Sequence, residues 1–323
     1  MAGPSIASPI VPPWFETSLL AKASSQIAES LFAVLFPSDC RICGAPLVKI
    51  ARLPVCLPCL DAMQPIQGGT CAICGERLFS PHAFAGTQGC AGEGSENEPR
   101  CGLCRRIEPP FVRALAYGSY EGGLRELIHL LKYGRVLPAA NVLGRMLWEA
   151  IAALEPEIAT GVITVIPVPL HRAKFRQRGY NQAELIARAA LKINPARDRD
   201  KDKDNDRFRL SVNRLIRKRD TSSQTGFTAH QRRANLRGAF AVTHPEEIKG
   251  REVLLVDDVY TTGATASECS LVLRRAGASK VWVATVARTL KISAQHVEIR
   301  DENQYGAEKE RAAELSLAKA VGI

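Results

Sequence analysis

The chain has 323 residues, 46% apolar and 24% charged, which excludes wholesale disorder and allows one large domain with a small one. No window of about 18–20 uninterrupted apolar residues exists, so no membrane span is expected. The net charge of +10 favours acidic partners such as phosphates or nucleic acid without choosing between them.

Residues 1–13 are rich in Pro, Ser and Ala and read as unstructured. Residues 15–36 place Leu19, Leu20, Ile27, Leu31, Val34 and Leu35 at helical spacing. The expectation for 1–36 is a loose start followed by an amphipathic helix packed on its own protein. A basic n-region and a compact apolar stretch are missing, so no signal peptide is expected.

Residues 37–108 are short of long apolar runs and rich in Cys, Gly and Pro. Nine of the ten cysteines fall between Cys40 and Cys104. Eight form C-x-x-C pairs: Cys40/Cys43, Cys56/Cys59, Cys71/Cys74 and Cys101/Cys104. Thiolates two residues apart can share one metal ion, and a segment too small for its own core needs such a staple. A glycine follows two of the pairs, Gly44 and Gly75, in the order glycine-type, plain, glycine-type, plain. That order suggests two successive ribbons, each closing a four-thiolate site of structural zinc. Cys40, Cys43, Cys56 and Cys59 would hold one ion, and Cys71, Cys74, Cys101 and Cys104 the other. A crossed pairing stays open at this point. Cysteines spaced for metal rather than for disulfides are expected in the cytoplasm, where thiols stay reduced. Cys90, in a Gly/Glu/Ser loop, is the spare, and Cys269 is expected to be a small core residue.

From Phe111 the texture becomes globular. A strand is expected within 113–120, helices over 123–133 and 137–154, a strand over 162–168 and a helix over 182–192. A strand over 253–259, a helix over 265–276 and a strand over 281–286 follow. Buried apolar strands alternating with helices imply an α/β fold, a parallel sheet with flanking helices, over residues 109–290. Residues 197–207 alternate charge without an apolar side chain and read as a solvated insert, and 291–323 as a charged tail.

The most specific stretch runs from Val253 to Thr265. An apolar strand delivers Asp257 and Asp258 at its carboxyl end, facing a ligand rather than the core. The loop Tyr260-Thr261-Thr262-Gly263-Ala264-Thr265 then opens a helix. Loop N–H groups, hydroxyls and a helix N-terminus suit a phosphate, and Gly263 lets the backbone come close. The two acids suit ribose hydroxyls, directly or through Mg²⁺. This stretch resembles the phosphoribosyl pyrophosphate (PRPP) motif of type I phosphoribosyltransferases. That resemblance implies catalytic roles for Asp257 and Asp258 and a pyrophosphate loop at Pro169, Leu170, His171 and Arg172. Basic residues follow that loop at Lys174, Arg176 and Arg178, and recur at Arg217, Lys218, Arg219 and Arg232. Residues 161–290 hold 25 Lys/Arg against 13 Asp/Glu, so the positive charge is concentrated there. A basic surface of this kind suits single-stranded DNA, although aromatic residues are only 6% of the chain, which argues against a base-stacking platform.

The cysteine pairs, Leu130-Leu-Lys132-Tyr133, Ile166-Pro-Val-Pro-Leu-His171, Arg178-Gly-Tyr-Asn-Gln182, Thr221-Ser-Ser-Gln224, Arg232-Arg-Ala-Asn235 and the Asp257-Asp258 loop occur in one order. Together they resemble the ComF family of competence-protein-F-like phosphoribosyltransferase homologues over roughly residues 30–290. The resemblance implies a double zinc ribbon before a phosphoribosyltransferase-like domain that binds PRPP with Mg²⁺. It also implies a link to natural competence, with single-stranded DNA and other competence proteins as partners. Two readings follow. One is a glycosyltransferase acting on PRPP with an unknown acceptor. The other is a non-catalytic nucleic-acid-binding protein that keeps the phosphoribosyl pocket for regulation.

Overall fold

The structure is a computed structural model, and it describes residues 38–47, 52–78, 98–158, 161–193, 207–219 and 229–290. The expected amino-terminal helix, Cys90, Thr221 to Gln224 and the charged tail lie outside the described residues.

The two cysteine modules share one plan. In the first, the antiparallel pair β1 (Ser38–Asp39) and β2 (Pro46–Leu47) flanks a turn, and helix α1 (Leu57–Asp61) follows. In the second, a bridge between Thr70 and Arg77 flanks the turn, and helix α2 (Gly102–Arg106) follows. Gly44 and Gly75 end their turns at φ 74° and 69°, and their N–H groups donate to the carbonyls of Cys40 and Cys71. A side chain adopts that left-handed backbone only with strain, which is the physical use of glycine there. The plain pairs need no glycine, because Cys56 and Cys101 are helix N-caps. Their partners Cys59 and Cys104 lie three residues on, on the same face of the first turn.

The main domain is a five-stranded parallel sheet in the order β3-β9-β8-β4-β5. Its strands are β3 (Ala114–Ser119), β4 (Ile163–Pro167), β5 (Phe208–Leu210), β8 (Glu252–Tyr260) and β9 (Lys280–Arg288). Strands β4, β8 and β9 are apolar over consecutive residues because both sheet faces are covered. On one face, α3 (Gly122–Lys132), α4 (Ala139–Leu154) and α6 (Gln182–Ile193) bury Leu127, Leu143, Leu147 and Ile186 against Leu254, Val256 and Trp282. On the other, α8 (Ala264–Arg275) packs with Leu215 and Phe240 of the antiparallel pair β6 (Leu215–Arg217) and β7 (Phe240–Val242). Helix α7 (Ala229–Leu236) precedes β7. Cys269 is fully buried in this second core, as expected.

The modules are not an independent domain. Val55 and Met63 join the first core, and Ile73 with Cys71, Cys74 and Cys104 joins the second. The Ile66 N–H donates to the Tyr117 carbonyl at 2.7 Å, and the Ala114 N–H to the Ile73 carbonyl at 2.7 Å. The outer edge of β3 is thereby covered. Arg207, placed by sequence at the end of the solvated insert, is instead anchored. Its guanidinium meets the Glu155 carboxylate at 2.6 Å and the Ile158 carbonyl at 3.0 Å, since β5 begins at the next residue.

Candidate functional site

The carboxyl ends of β4 and β8 and the start of α8 converge at one edge of the sheet, where ligands bind in open α/β folds. Strand β8 runs two residues past the acids, so Asp257 and Asp258 lie inside it. Adjacent strand residues face opposite sides, and the acids accordingly part company. Asp257 lines a small cavity with Val168, Thr261, Gly263, Thr265 and Thr285, and its Oδ1 accepts the Asp258 N–H at 2.9 Å. Burial, then the Asp258 charge, pushes its carboxyl well above the ordinary range. Asp258 turns toward α3. It is 4% exposed and forms an ion pair with the Lys132 ammonium. Burial alone would raise Asp258, but the Lys132 charge and hydrogen bond outweigh it and hold the carboxyl below its usual range. Burial works against the Lys132 ammonium too, and the Asp258 charge more than offsets it. This corrects the expectation that both acids face a ligand outside the core. Asp258 is a core residue with a resident cation. Sequence reasoning did not assign Lys132 to the site; its one local signal is that it stands four residues after Ile128 on the buried stripe of α3, where a charge requires a partner.

The loop after β8 closes tightly. Thr262 Oγ1 accepts the Ala264 N–H at 3.4 Å, and Gly263 takes φ 76° as the residue before α8. Tyr260 folds back so far that a Cβ on Gly263 would meet its hydroxyl at 2.2 Å. The Tyr260 ring is held edge-on by Phe111, 6.4 Å away, and by the Arg288 guanidinium, 4.9 Å from its centroid. Burial pushes the Tyr260 phenol up, so it stays protonated at neutral pH. Thr261 is exposed and Thr265 is half-buried at the mouth. The cavity beneath measures about 20 Å³, room for about one water, so a ribose phosphate would rest on the loop rather than in it.

The expected pyrophosphate loop is short. Pro169 and Leu170 are half-buried, and His171 is the N-cap of α5 (Arg172–Arg178), accepting the Ala173 N–H on Nδ1 at 3.4 Å. Arg172 is thus the first helical residue, and Lys174, Arg176 and Arg178 ride on α5. Asn181 ties this segment down, donating to the Val168 carbonyl at 3.0 Å and accepting the Ala183 N–H at 3.1 Å. The second basic cluster belongs to another element. Arg217 lies on β6 over the Phe240 ring, and Arg219 donates to the carbonyls of Asn235 and Arg237. Lys218 is exposed beside them. The backbone of Arg232 lies in α7. The structure therefore anchors α5 to the α3 face and the β6–β7 pair to the α8 face, and does not merge the two clusters.

The eight paired cysteines gather into two sets, Cys40, Cys43, Cys56 and Cys59, and Cys71, Cys74, Cys101 and Cys104. Within each, all Sγ atoms lie within 4.8 Å of one another, which decides the ligand pairing in favour of the successive arrangement. Sγ–Sγ separations are 3.9 Å for Cys40–Cys59, 3.6 Å for Cys43–Cys56 and 3.6 Å for Cys74–Cys101. A tetrahedral zinc with Zn–S bonds of about 2.3 Å has edges of about 3.8 Å, so the donor sets fit that ion. Burial raises the Cys40 thiol, yet N–H groups of Cys43, Cys56 and Ile42 outweigh it and hold it at about 6, in the thiolate range a metal needs.

Relatives of known name share this sequence almost end to end of their own length. The DNA utilization protein YhgH of Escherichia coli O157:H7 is 30% identical over 239 residues, 73% of this chain and 97% of that protein. Competence protein F of Haemophilus influenzae is 30% identical over 242 residues, 72% of this chain and 96% of that protein. The chain belongs to the competence protein F family. YhgH of Salmonella typhimurium, a further relative, is 28% identical over 258 residues, 79% of this chain and 98% of that protein. No protein-family model matches. Among solved structures, a hypoxanthine phosphoribosyltransferase of Staphylococcus aureus aligns with 48% of this chain and 69% of its own at 13% identity. Its TM-score of 0.25 is too low to argue from. Among the described residues, no helix is long and apolar enough to cross a membrane.

Proposed function

We propose that this member of the family binds PRPP, or a related ribose phosphate, with Mg²⁺ at the carboxyl edge of its sheet and serves the handling of single-stranded DNA in natural competence. The observation that carries the reading is the junction of β8 and α8. A buried strand brings Asp257 under a hydroxyl-rich loop whose glycine is pinned against Tyr260, and a 12-residue helix begins there. N–H groups at such a start attract phosphate, and Asp257 is the acid placed to take a ribose hydroxyl. The segment from Pro169 to Arg172, with the cations of α5 behind it, would draw off pyrophosphate if transfer occurs.

The concentration of Lys/Arg over residues 161–290 supports DNA contact by two separate groups of cations, Lys174, Arg176 and Arg178 on α5, and Arg217, Lys218, Arg219 and Arg232 near the β6–β7 pair. The names of the relatives support the same link. Two structural zinc ions, one per module, and residence in the cytoplasm complete the reading. The deciding measurement is calorimetric titration of the full chain with PRPP and Mg²⁺. Wild type should bind, and Asp257→Asn should lose binding while keeping its circular dichroism. Absence of heat for wild type at millimolar ligand would defeat the PRPP part.

A further inference from the structure

We propose that Tyr133 and Phe175 form a base-stacking platform for single-stranded DNA, with Arg178 as a third stacking plane between them. The inference rests on the DNA part of the reading above and says how that strand is held.

Aromatic residues are scarce in this chain, and most of those among the described residues have other work. Phe111, Tyr260, Phe208 and Trp282 are packed against neighbours in the cores. Of the large apolar side chains that stay exposed among the described residues, two are aromatic, Tyr133 at 72% and Phe175 at 47%. Both fall on one surface. The Arg178 guanidinium carbon lies 5.6 Å from the Tyr133 ring centroid. Phe175 precedes Arg178 by three residues on α5, so their side chains share a face about 5–6 Å apart at Cβ. Ring, guanidinium and ring thus follow one another across the surface.

The parts are held in place before any ligand arrives. Arg135, at φ 53°, donates to the Gln177 carbonyl at 3.1 Å, and the Tyr180 hydroxyl donates to the Leu131 carbonyl. These bonds fasten the end of α3 to the end of α5. The His129 ring meets Tyr133 edge-on at 5.5 Å. Arg172 and Arg176 are exposed on the same helix and supply charge for phosphates. Exposed rings framed by arginines suit a ligand that is both anionic and flat-faced. A single strand offers unpaired base faces beside its phosphates, whereas a duplex hides them. Low overall aromatic content therefore does not argue against stacking, because the exposed rings among the described residues are concentrated at one place.

The test is binding of the full chain to an oligothymidylate of about 15 nucleotides and to an abasic strand of equal length, across a salt series. Tyr133→Ala and Phe175→Ala should each weaken oligothymidylate binding by about 5- to 150-fold, since stacking contributes about 1–3 kcal/mol per base. The log–log salt slope should hold, because no phosphate contact is removed. Abasic binding should not change, and Tyr133→Phe should restore wild-type affinity. Zinc content and PRPP titration serve as controls on folding. If wild type binds neither strand at low salt, the DNA part of the function falls and this inference with it. If wild type binds and the double alanine variant matches it, or loses equally on both strands, the platform alone is overturned.

Discussion

Gly263 is fixed by two independent constraints, its left-handed backbone and the Tyr260 hydroxyl lying where a Cβ would go. Tyr260 cannot swing aside freely, because Arg288 and Phe111 hold its ring. Gly263→Ala should therefore lower stability by roughly 1–3 kcal/mol in urea denaturation and abolish PRPP binding. The adjacent acids should behave in opposite ways. Asp258 has a lowered folded pKa, so its contribution is present above the unfolded value of about 3.9 and fades as pH falls through the folded one. Asp257 has a raised folded pKa. The folded protein holds its proton more tightly, and stability declines as pH climbs from about 3.9 toward the folded value. At pH 7, Asp257→Asn is expected to be neutral or stabilising. Asp258→Asn strands the Lys132 ammonium and should cost about 3–5 kcal/mol. Equal effects of the two substitutions on thermal melting would contradict the assignment of opposite faces.

Arg288, the last residue of β9, joins a strand to a cysteine module. Its guanidinium pairs with the Glu76 carboxylate at 2.7 Å, with side-chain exposures of 3% and 12%, and also donates to the Cys74 carbonyl. Arg288→Ala removes the ion pair to the buried Glu76 carboxylate and the bond to the Cys74 carbonyl. Hydrogen exchange should then quicken at residues 71–78 while residues 40–47 stay protected, and uniform protection across both modules would show that the pair does not bind them. Nothing in the sequence announced this element-level contact, because its partners are 212 residues apart. The long helices and the central strands were legible, since their apolar spacing is fixed by burial on known faces. Observed α4 begins at Ala139 rather than Leu137, and β8 ends at Tyr260 rather than Val259, shifts of the kind that end effects cause. Strands β5 and β6 were missed. Each is three residues long and carries an arginine, so no period of two can emerge. Helix α5 was missed for its charge, although Gly179 at φ 87° marks its end. Of the site, the acid pair and the glycine were readable from local chemistry. The cation that claims Asp258 was not, because it comes from another element.

At the scale of the whole molecule, the two four-thiolate sets differ in access. Cys43 is exposed in the first, whereas three of four ligands are buried in the second. Reduced protein should contain about two zinc ions per chain, and a chelator should strip the first module faster. Substituting Cys101 and Cys104 with Ser should remove one ion and leave the other, as read by metal analysis. Loss of the second ion is expected to lower the melting temperature more, because that module lies in the core beneath α8 and Tyr260.

The covered edge of β3 bears on how the protein is made. This strand is the first of the sheet to be synthesised, and it pairs with β9, the last, about 170 residues later. At about 5–20 residues per second, a nascent β3 waits roughly 10–30 s for its partner on the ribosome. The cysteine modules are already complete by then, and their Ile66 and Ile73 backbones can dock on the strand as soon as metal sets them. So docked, they would serve as a temporary partner for the strand edge, which left bare is open to pairing with other chains. A cell starved of zinc would lose this protein to aggregation while it is being translated, and protein finished before the shortage would outlast it.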